Sequence, residues 1–171
     1  MKVLVTAASR HGSTGEIAEA IGDVLRSRGF EVTVAPPEDV GALSEFEAVV
    51  LGSAVYLGHW LEPATRLARR IGGELAGRPV WLFSSGPVGD PSKKFTRQMD
   101  VDPVDLQAVQ GATAARAHTR FSGKLDRHNL RRLQRVGLSL FRGLQGDFRD
   151  WEAIRAWAAS IADQLSEATA A

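Results

Sequence analysis

The sequence predicts an α/β protein on a doubly wound, five-stranded parallel sheet, with one added basic amphipathic helix. Apolar runs of strand length alternate with segments of helical period along most of the chain. A polar loop, Ser9-Arg10-His11-Gly12-Ser13-Thr14, separates the first strand from the first helix. Two further Gly- and Ser-rich stretches follow the third and fourth apolar runs. Ligand loops gather in this way outside the carboxyl ends of the strands of such a sheet.

Taken in order, Lys2 to Ala7 reads as an apolar strand. Gly15 to Arg28 carries Ile17, Ala18, Ile21, Val24 and Leu25 on one helical face and stops at Gly29. Phe30 to Ala35 alternates as a second strand closed by Pro36-Pro37, and Ala48 to Gly52 is a wholly apolar third strand, as expected when both faces are buried. Pro63 stands near the start of the next helix, where its missing N–H costs little. Ala64, Leu67, Ala68, Ile71 and Leu75 line its inner side. Pro79 to Ser84 gives a fourth strand, Val104 to Gln110 a weaker helix and Ala112 to Phe121 a fifth strand. A last helix runs from Trp151 to Leu165 with Trp151, Ile154, Ala158, Ile161 and Leu165 inward. The expected organisation is one domain over residues 1–166, with 167–171 an Ala-rich frayed tail.

With 171 residues the chain is one ordinary domain with room for a core. The absence of cysteine excludes disulfides, thiolate metal sites and a cysteine nucleophile, and fits a cytoplasmic protein. Val3-Leu4-Val5 is too short for a signal peptide, and no apolar run reaches membrane-spanning length. No internal repeat and no metal-binding pattern is evident.

The loop Ser9 to Thr14 places backbone N–H groups and the hydroxyls of Ser9, Ser13 and Thr14 at a helix N-terminus, where the helix dipole favours an anion. The competing reading is that Ser13 or Thr14 is an ordinary N-cap. No Lys follows Gly12, so this is not a nucleoside-triphosphate loop. No Gly-x-Gly-x-x-Gly follows the strand, so a dinucleotide pyrophosphate lacks its close approach to backbone. A hydroxyl-rich cradle without lysine suits a phosphate monoester, and flavin mononucleotide (FMN) is the foremost candidate. A deazaflavin would fit a similar cradle. Gly52-Ser53-Ala54-Val55-Tyr56-Leu57-Gly58-His59-Trp60 and Ser84-Ser85-Gly86-Pro87-Val88-Gly89-Asp90 supply the expected partner loops.

On these residues the chain resembles flavodoxin-fold proteins, and more narrowly the flavodoxin-like, menaquinone-dependent protoporphyrinogen dehydrogenases. Ser9, Gly12 and Thr14 match the flavodoxin phosphate motif Thr/Ser-x-x-Gly-x-Thr. Gly52 to His59 resembles that family's loop after the third strand, and Gly146-Asp147 before Asp150-Trp151-Glu152 its approach to the last helix. The resemblance implies strand order 2-1-3-4-5. It implies an FMN phosphate held by Ser9, Arg10, His11, Gly12, Ser13 and Thr14. It also implies ring contacts from Ser53, Ala54, Val55, Tyr56, Leu57 and Gly58, and from Ser84, Ser85, Gly86, Pro87 and Val88. Tyr56 is the expected stacking side chain; Trp60 is favoured as a hydrophobic anchor, and Trp151 and Trp157 as packing residues. A response regulator shares the fold but needs acidic residues after the first and third strands, where this chain has Thr6-Ala7-Ala8-Ser9 and Gly52-Ser53.

Two features separate an enzyme from an electron carrier. Arg10 and His11 put positive charge in the phosphate loop, which favours the reduced flavin anion and raises the potential. The segment Arg116 to Arg142 holds eight basic residues and one acid, Asp126, leaving 13 basic and 19 acidic residues elsewhere. Within it Leu130, Leu133, Gly137, Leu140, Phe141 and Leu144 follow helical spacing. Such a helix lies on an anionic membrane surface, covers a hydrophobic substrate, or packs on the sheet with its arginines solvated. No aromatic interleaving supports nucleic-acid binding.

The resemblance further implies a tetrapyrrole substrate, whose propionates arginines bind well, a quinone-type acceptor, and a peripheral place at the inner face of the membrane through 116–142. The alternative is a carrier whose basic helix docks an acidic redox partner. Tryptophans on the last helix, if exposed, permit a homodimer. His59, His118 and His128 receive no catalytic role, and no catalytic residue is assigned.

Overall fold

The computed structural model describes residues 1–74, 76–86, 101–125 and 146–170. Its strands are β1 (Lys2–Ala8), β2 (Glu31–Ala35), β3 (Ala48–Tyr56), β4 (His59–Trp60), β5 (Val80–Ser85), β6 (Ala117–Phe121), β7 (Lys124–Leu125) and β8 (Gly146–Asp147). Its helices are α1 (Ser13–Ser27), α2 (Glu62–Glu74), α3 (Leu106–Thr113) and α4 (Trp151–Ala170). The main sheet has order β2-β1-β3-β5-β6, with β4 paired to β3 and β7-β8 forming a separate ribbon. The five long strands are all parallel. They are the expected order 2-1-3-4-5, renumbered because the short β4 intervenes.

Strand alternation divides the core in two. Val3, Val5, Val50, Trp81 and Phe83 face α1 and α4, where Ile17, Ile21, Ile154 and Ile161 meet them. Leu4, Val49, Leu51 and Leu82 face α2 and α3, meeting Leu67, Ile71, Leu106 and Val109. The central strands are therefore apolar on both faces, as right-handed crossovers with helices on both sides require. Close packing also fixes two glycines: a Cβ on Gly52 would strike the Phe83 ring, and one on Gly72 the carbonyl of Ala112.

The structure corrects several expected boundaries. β3 continues to Tyr56, so Ser53 to Tyr56 are strand, and only Leu57 and Gly58 form the turn into β4. Both turn residues have positive φ, 51° and 81°, the left-handed pairing that suits the twist of a tight hairpin. Ser84 and Ser85 likewise belong to β5. Ala112 and Thr113 end α3 instead of opening β6; the Thr113 hydroxyl donates to the Val109 carbonyl and Ala114 turns left-handed. α4 continues to Ala170, past both Leu165 and the expected start of a frayed tail. Trp157 packs edge-on to Phe83 and Phe121, at 6.1 and 5.6 Å between ring centroids, and Trp151 lies under Arg149. Both tryptophans are partly buried against the core. Leu75, the loop residues Pro87 to Asp90, His128 and the basic amphipathic helix over Leu130 to Leu144 lie outside the described residues.

Candidate functional site

Strand register brings the site together. Ala8 pairs with Ser53, Ser53 with Ser84, and Ala54 with Ser85, so the carboxyl ends of β1, β3 and β5 finish on one edge. Beyond β6 the edge is closed by the Gly86 N–H, which donates to the Phe121 carbonyl at 2.9 Å.

The loop after β1 reaches α1 with no side chain at the N-cap position. Gly12, at φ 86°, is the N-cap and offers no side chain to the helix, so the expected alternative of a Ser13 or Thr14 cap does not hold. Ser9 Oγ accepts the Thr14 N–H at 3.2 Å, and the Gly12 carbonyl accepts the Glu16 N–H at 2.9 Å. These two bonds fold the loop back on itself. Thr14 is fully buried, yet its hydroxyl has no hydrogen-bond partner among the described residues. A buried hydroxyl without a partner costs about 1–3 kcal/mol. An anion at the helix N-terminus would remove that cost, so the residues present fit a phosphate monoester.

Tyr56 stands across from this loop at the end of β3. The Arg10 guanidinium lies over its ring, 4.7 Å from the centroid, and the His11 ring is 6.4 Å away and tilted by 60°. Burial pushes the Tyr56 phenol above its ordinary range, while Arg10 pulls it the other way. The loop expected to hold the phosphate and the expected ring-stacking residue are thus in contact. Leu57, beside Tyr56, is almost wholly exposed at 98 %. Among the other expected site residues, Ala54 and Ser85 are buried in their strands, Val55 is half-buried, and Gly58 accepts the Val104 N–H at 2.8 Å. Pro87 and Val88 lie outside the described residues.

Two expected site serines have their hydroxyls committed to the α2 side. Ser53 Oγ accepts the Leu61 N–H at 2.9 Å and donates to the Ala54 carbonyl. Ser84 Oγ accepts the Trp60 indole N–H at 2.9 Å and lies 2.8 Å from His118 Nε2. Both serines are fully buried, which leaves their backbone, not their hydroxyls, for a ligand. Trp60, 4 % exposed, is the anchor that the sequence favoured over a stacking role. The indole N–H donates to Ser84 Oγ, and the tautomer of His118 sets whether the serine hydroxyl donates to Nε2 or accepts from it. Burial holds His118 below its ordinary value, against the raising effect of Asp102.

Sequence reasoning missed two supports of the site. Asp105 accepts both the Trp60 N–H and a ring nitrogen of His59, each at 3.0 Å, and so clamps the β3-β4 hairpin. Arg149, whose side chain is 2 % exposed, joins Asp147, Glu16 and the Ser13 carbonyl. It thereby ties the approach to α4 to the first turn of α1. A lone Asp between Val104 and Leu106 carried no signal of its clamp. The acid-base alternation Asp147-Phe148-Arg149-Asp150 was the one available hint of the second.

Of the basic segment, three members are described and all face the protein. Arg116 lies over the Trp81 ring, Arg120 pairs with Asp102 at 3.3 Å, and Lys124 reaches Glu16 at 3.9 Å. No helix among the described residues is long and apolar enough to cross a membrane.

A family model described as Flavodoxin domain matches residues 4–150, and no curated protein matches the chain. Among solved structures, a flavodoxin from the domain Archaea is 23 % identical with a TM-score of 0.57, covering 84 % of this chain and 99 % of its own. A cysteine-to-serine mutant of flavodoxin from Pseudomonas aeruginosa is 17 % identical at TM-score 0.59, covering 97 % and 99 %. Rubredoxin oxygen:oxidoreductase from Desulfovibrio gigas is 15 % identical at TM-score 0.66, over 99 % of this chain and 37 % of that one. At these identities the structures establish the fold. The family match spans most of the sequence, and the chain belongs to the flavodoxin domain family, whose cofactor is FMN and whose general chemistry is electron transfer.

Proposed function

We propose that this chain is an FMN-dependent oxidoreductase that passes reducing equivalents from an organic substrate to a quinone-type acceptor, similar to the protoporphyrinogen dehydrogenases. The reading rests on one arrangement: the buried Thr14 hydroxyl, without a hydrogen-bond partner among the described residues, in the first turn of α1, with the Tyr56 ring in contact with the same loop. Ser9 to Thr14 would hold the phosphate. Tyr56 would stack on the ring, while backbone groups of Ser53 to Gly58 and of Ser84 to Val88 border it. Bound FMN supplies the redox-active ring; the chain's residues bind it, orient it and set its surroundings.

The cationic character of the loop favours an enzyme over a low-potential carrier. Arg10 puts positive charge on the cofactor's side of the sheet, and positive charge stabilises a reduced, anionic flavin relative to the oxidised one. Acidic surroundings would do the reverse. A substrate bearing carboxylates would find arginines in the segment 116–142, and the same segment is our candidate for contact with a membrane surface. The carrier alternative keeps FMN and the fold but has the segment dock an acidic redox protein.

Purified protein is expected to take up FMN and release it on denaturation. Its midpoint potential should lie well above that of low-potential flavodoxins, and it should oxidise a porphyrinogen with a quinone acceptor. Full flavin loading without porphyrinogen turnover would remove the substrate assignment, and a low potential as well would favour the carrier. A protein that takes up no FMN defeats the proposal.

A further inference from the structure

Arg10 and the proposed cofactor compete for the same surface. The Arg10 guanidinium rests over the Tyr56 ring at 4.7 Å, and an isoalloxazine stacking on Tyr56 needs a ring face of the same kind. Arg10 itself is exposed and belongs to the loop that would cradle the phosphate. A planar guanidinium pairs better with a phosphate than with an aromatic face, because two charge-assisted hydrogen bonds replace a weaker cation–π contact. One side chain cannot do both at once.

We infer that Arg10 is a latch that makes the site select a phosphorylated flavin over an unphosphorylated one. The inference rests on the flavin reading above. Without ligand, the guanidinium covers Tyr56. A flavin carrying a phosphate draws Arg10 to the phosphate, and the ring face is uncovered in the same event. Riboflavin, with the same ring and no phosphate, has to displace Arg10 with nothing gained in return. Arg10 therefore adds to FMN affinity and subtracts from riboflavin affinity.

The test compares FMN and riboflavin binding to the wild-type chain and to Arg10→Ala, by fluorescence quenching of each flavin. Arg10→Ala should weaken FMN by about tenfold. It should strengthen riboflavin by about twofold to fivefold, the equivalent of an exposed cation–π contact. Arg10→Lys, which keeps the charge without the planar fork, should fall between the two. Weakening of both flavins together, or no change in either, overturns the latch. A wild-type chain that binds neither flavin overturns the flavin reading itself and the latch with it, whereas wild-type binding with an unchanged FMN-to-riboflavin ratio in the variant overturns the latch alone.

Discussion

Arg149 and Glu16 meet at 2.7 Å across 133 residues of sequence, joining the approach to α4 to the first turn of α1. The arginine is the buried partner, with 2 % of its side chain exposed, whereas Glu16 and Asp147 keep 52 % and 38 %. This asymmetry decides which variant costs more. Arg149→Met leaves two carboxylates that water can still reach, and the methionine packs on Trp151, so a loss of about 1–2 kcal/mol is expected. The double variant Glu16→Gln, Asp147→Asn strands a buried cation and should cost about 3 kcal/mol or more. Urea midpoints at constant slope measure both; a larger loss for Arg149→Met would contradict the assignment.

Thr14→Val should move stability and ligand affinity in opposite directions. The valine is nearly isosteric and removes a buried hydroxyl that has no partner among the described residues, so the chain without ligand should be as stable or more stable, by up to about 1 kcal/mol. FMN affinity should fall about tenfold through the loss of a hydrogen bond to a charged group. Thermal unfolding with and without FMN reads both effects. A Thr14→Val chain that is destabilised without FMN would show that the hydroxyl has a structural partner.

Leu57 holds φ 51° at a hairpin tip with 98 % of its surface exposed. It has strain to relieve and little packing to lose. Leu57→Asn should stabilise the chain by about 0.5–1 kcal/mol, raising Tm by about 1–4 °C for a chain of this size. A drop in Tm would mean that the leucine packs on something, and Gly58→Ala, at φ 81°, should lower Tm in either case.

The chain Trp60–Ser84–His118 predicts a pH dependence. Burial of the His118 ring disfavours its charged form. The folded-state value of His118 lies below its ordinary 6.5, so the folded state binds fewer protons. Its contribution to stability is present above pH 6.5 and is lost as pH falls through the lower folded value. Denaturation midpoints from pH 7 downward should show that loss, and His118→Gln should flatten it. Asp147 acts in a separate window. Its hydrogen bonds from Arg149 hold it below 3.8, so its share disappears only at more acidic pH. An identical slope above pH 5 in His118→Gln would show that another group titrates there.

The central strands and the inner stripes of α1 and α4 were legible in the sequence, because burial on one stripe or on both faces leaves a period that survives without coordinates. Ile17, Ile21, Ile154, Ile161 and Leu165 are all fully buried as expected. The Ser9 to Thr14 loop was legible for a similar reason, since Gly and hydroxyl residues between a strand and a helix are chemically unusual. Boundaries were not. Ala112 to Ala117 satisfies either period, and only the helical Thr113–Val109 bond and the pairing of Ala117 with Trp81 decide between them.

The sequence by itself determined the α/β alternation, the flavodoxin-type loop and the residue types gathered on one sheet edge, because these depend on local pattern and covalent order. Tertiary structure alone decided what each side chain does there. It turned the Ser53 and Ser84 hydroxyls inward, laid Arg10 on Tyr56, and buried Arg149 beside the first turn of α1. Those outcomes depend on strand register and on partners up to 136 residues apart, and hydrogen-bond satisfaction between such groups leaves no period in the sequence.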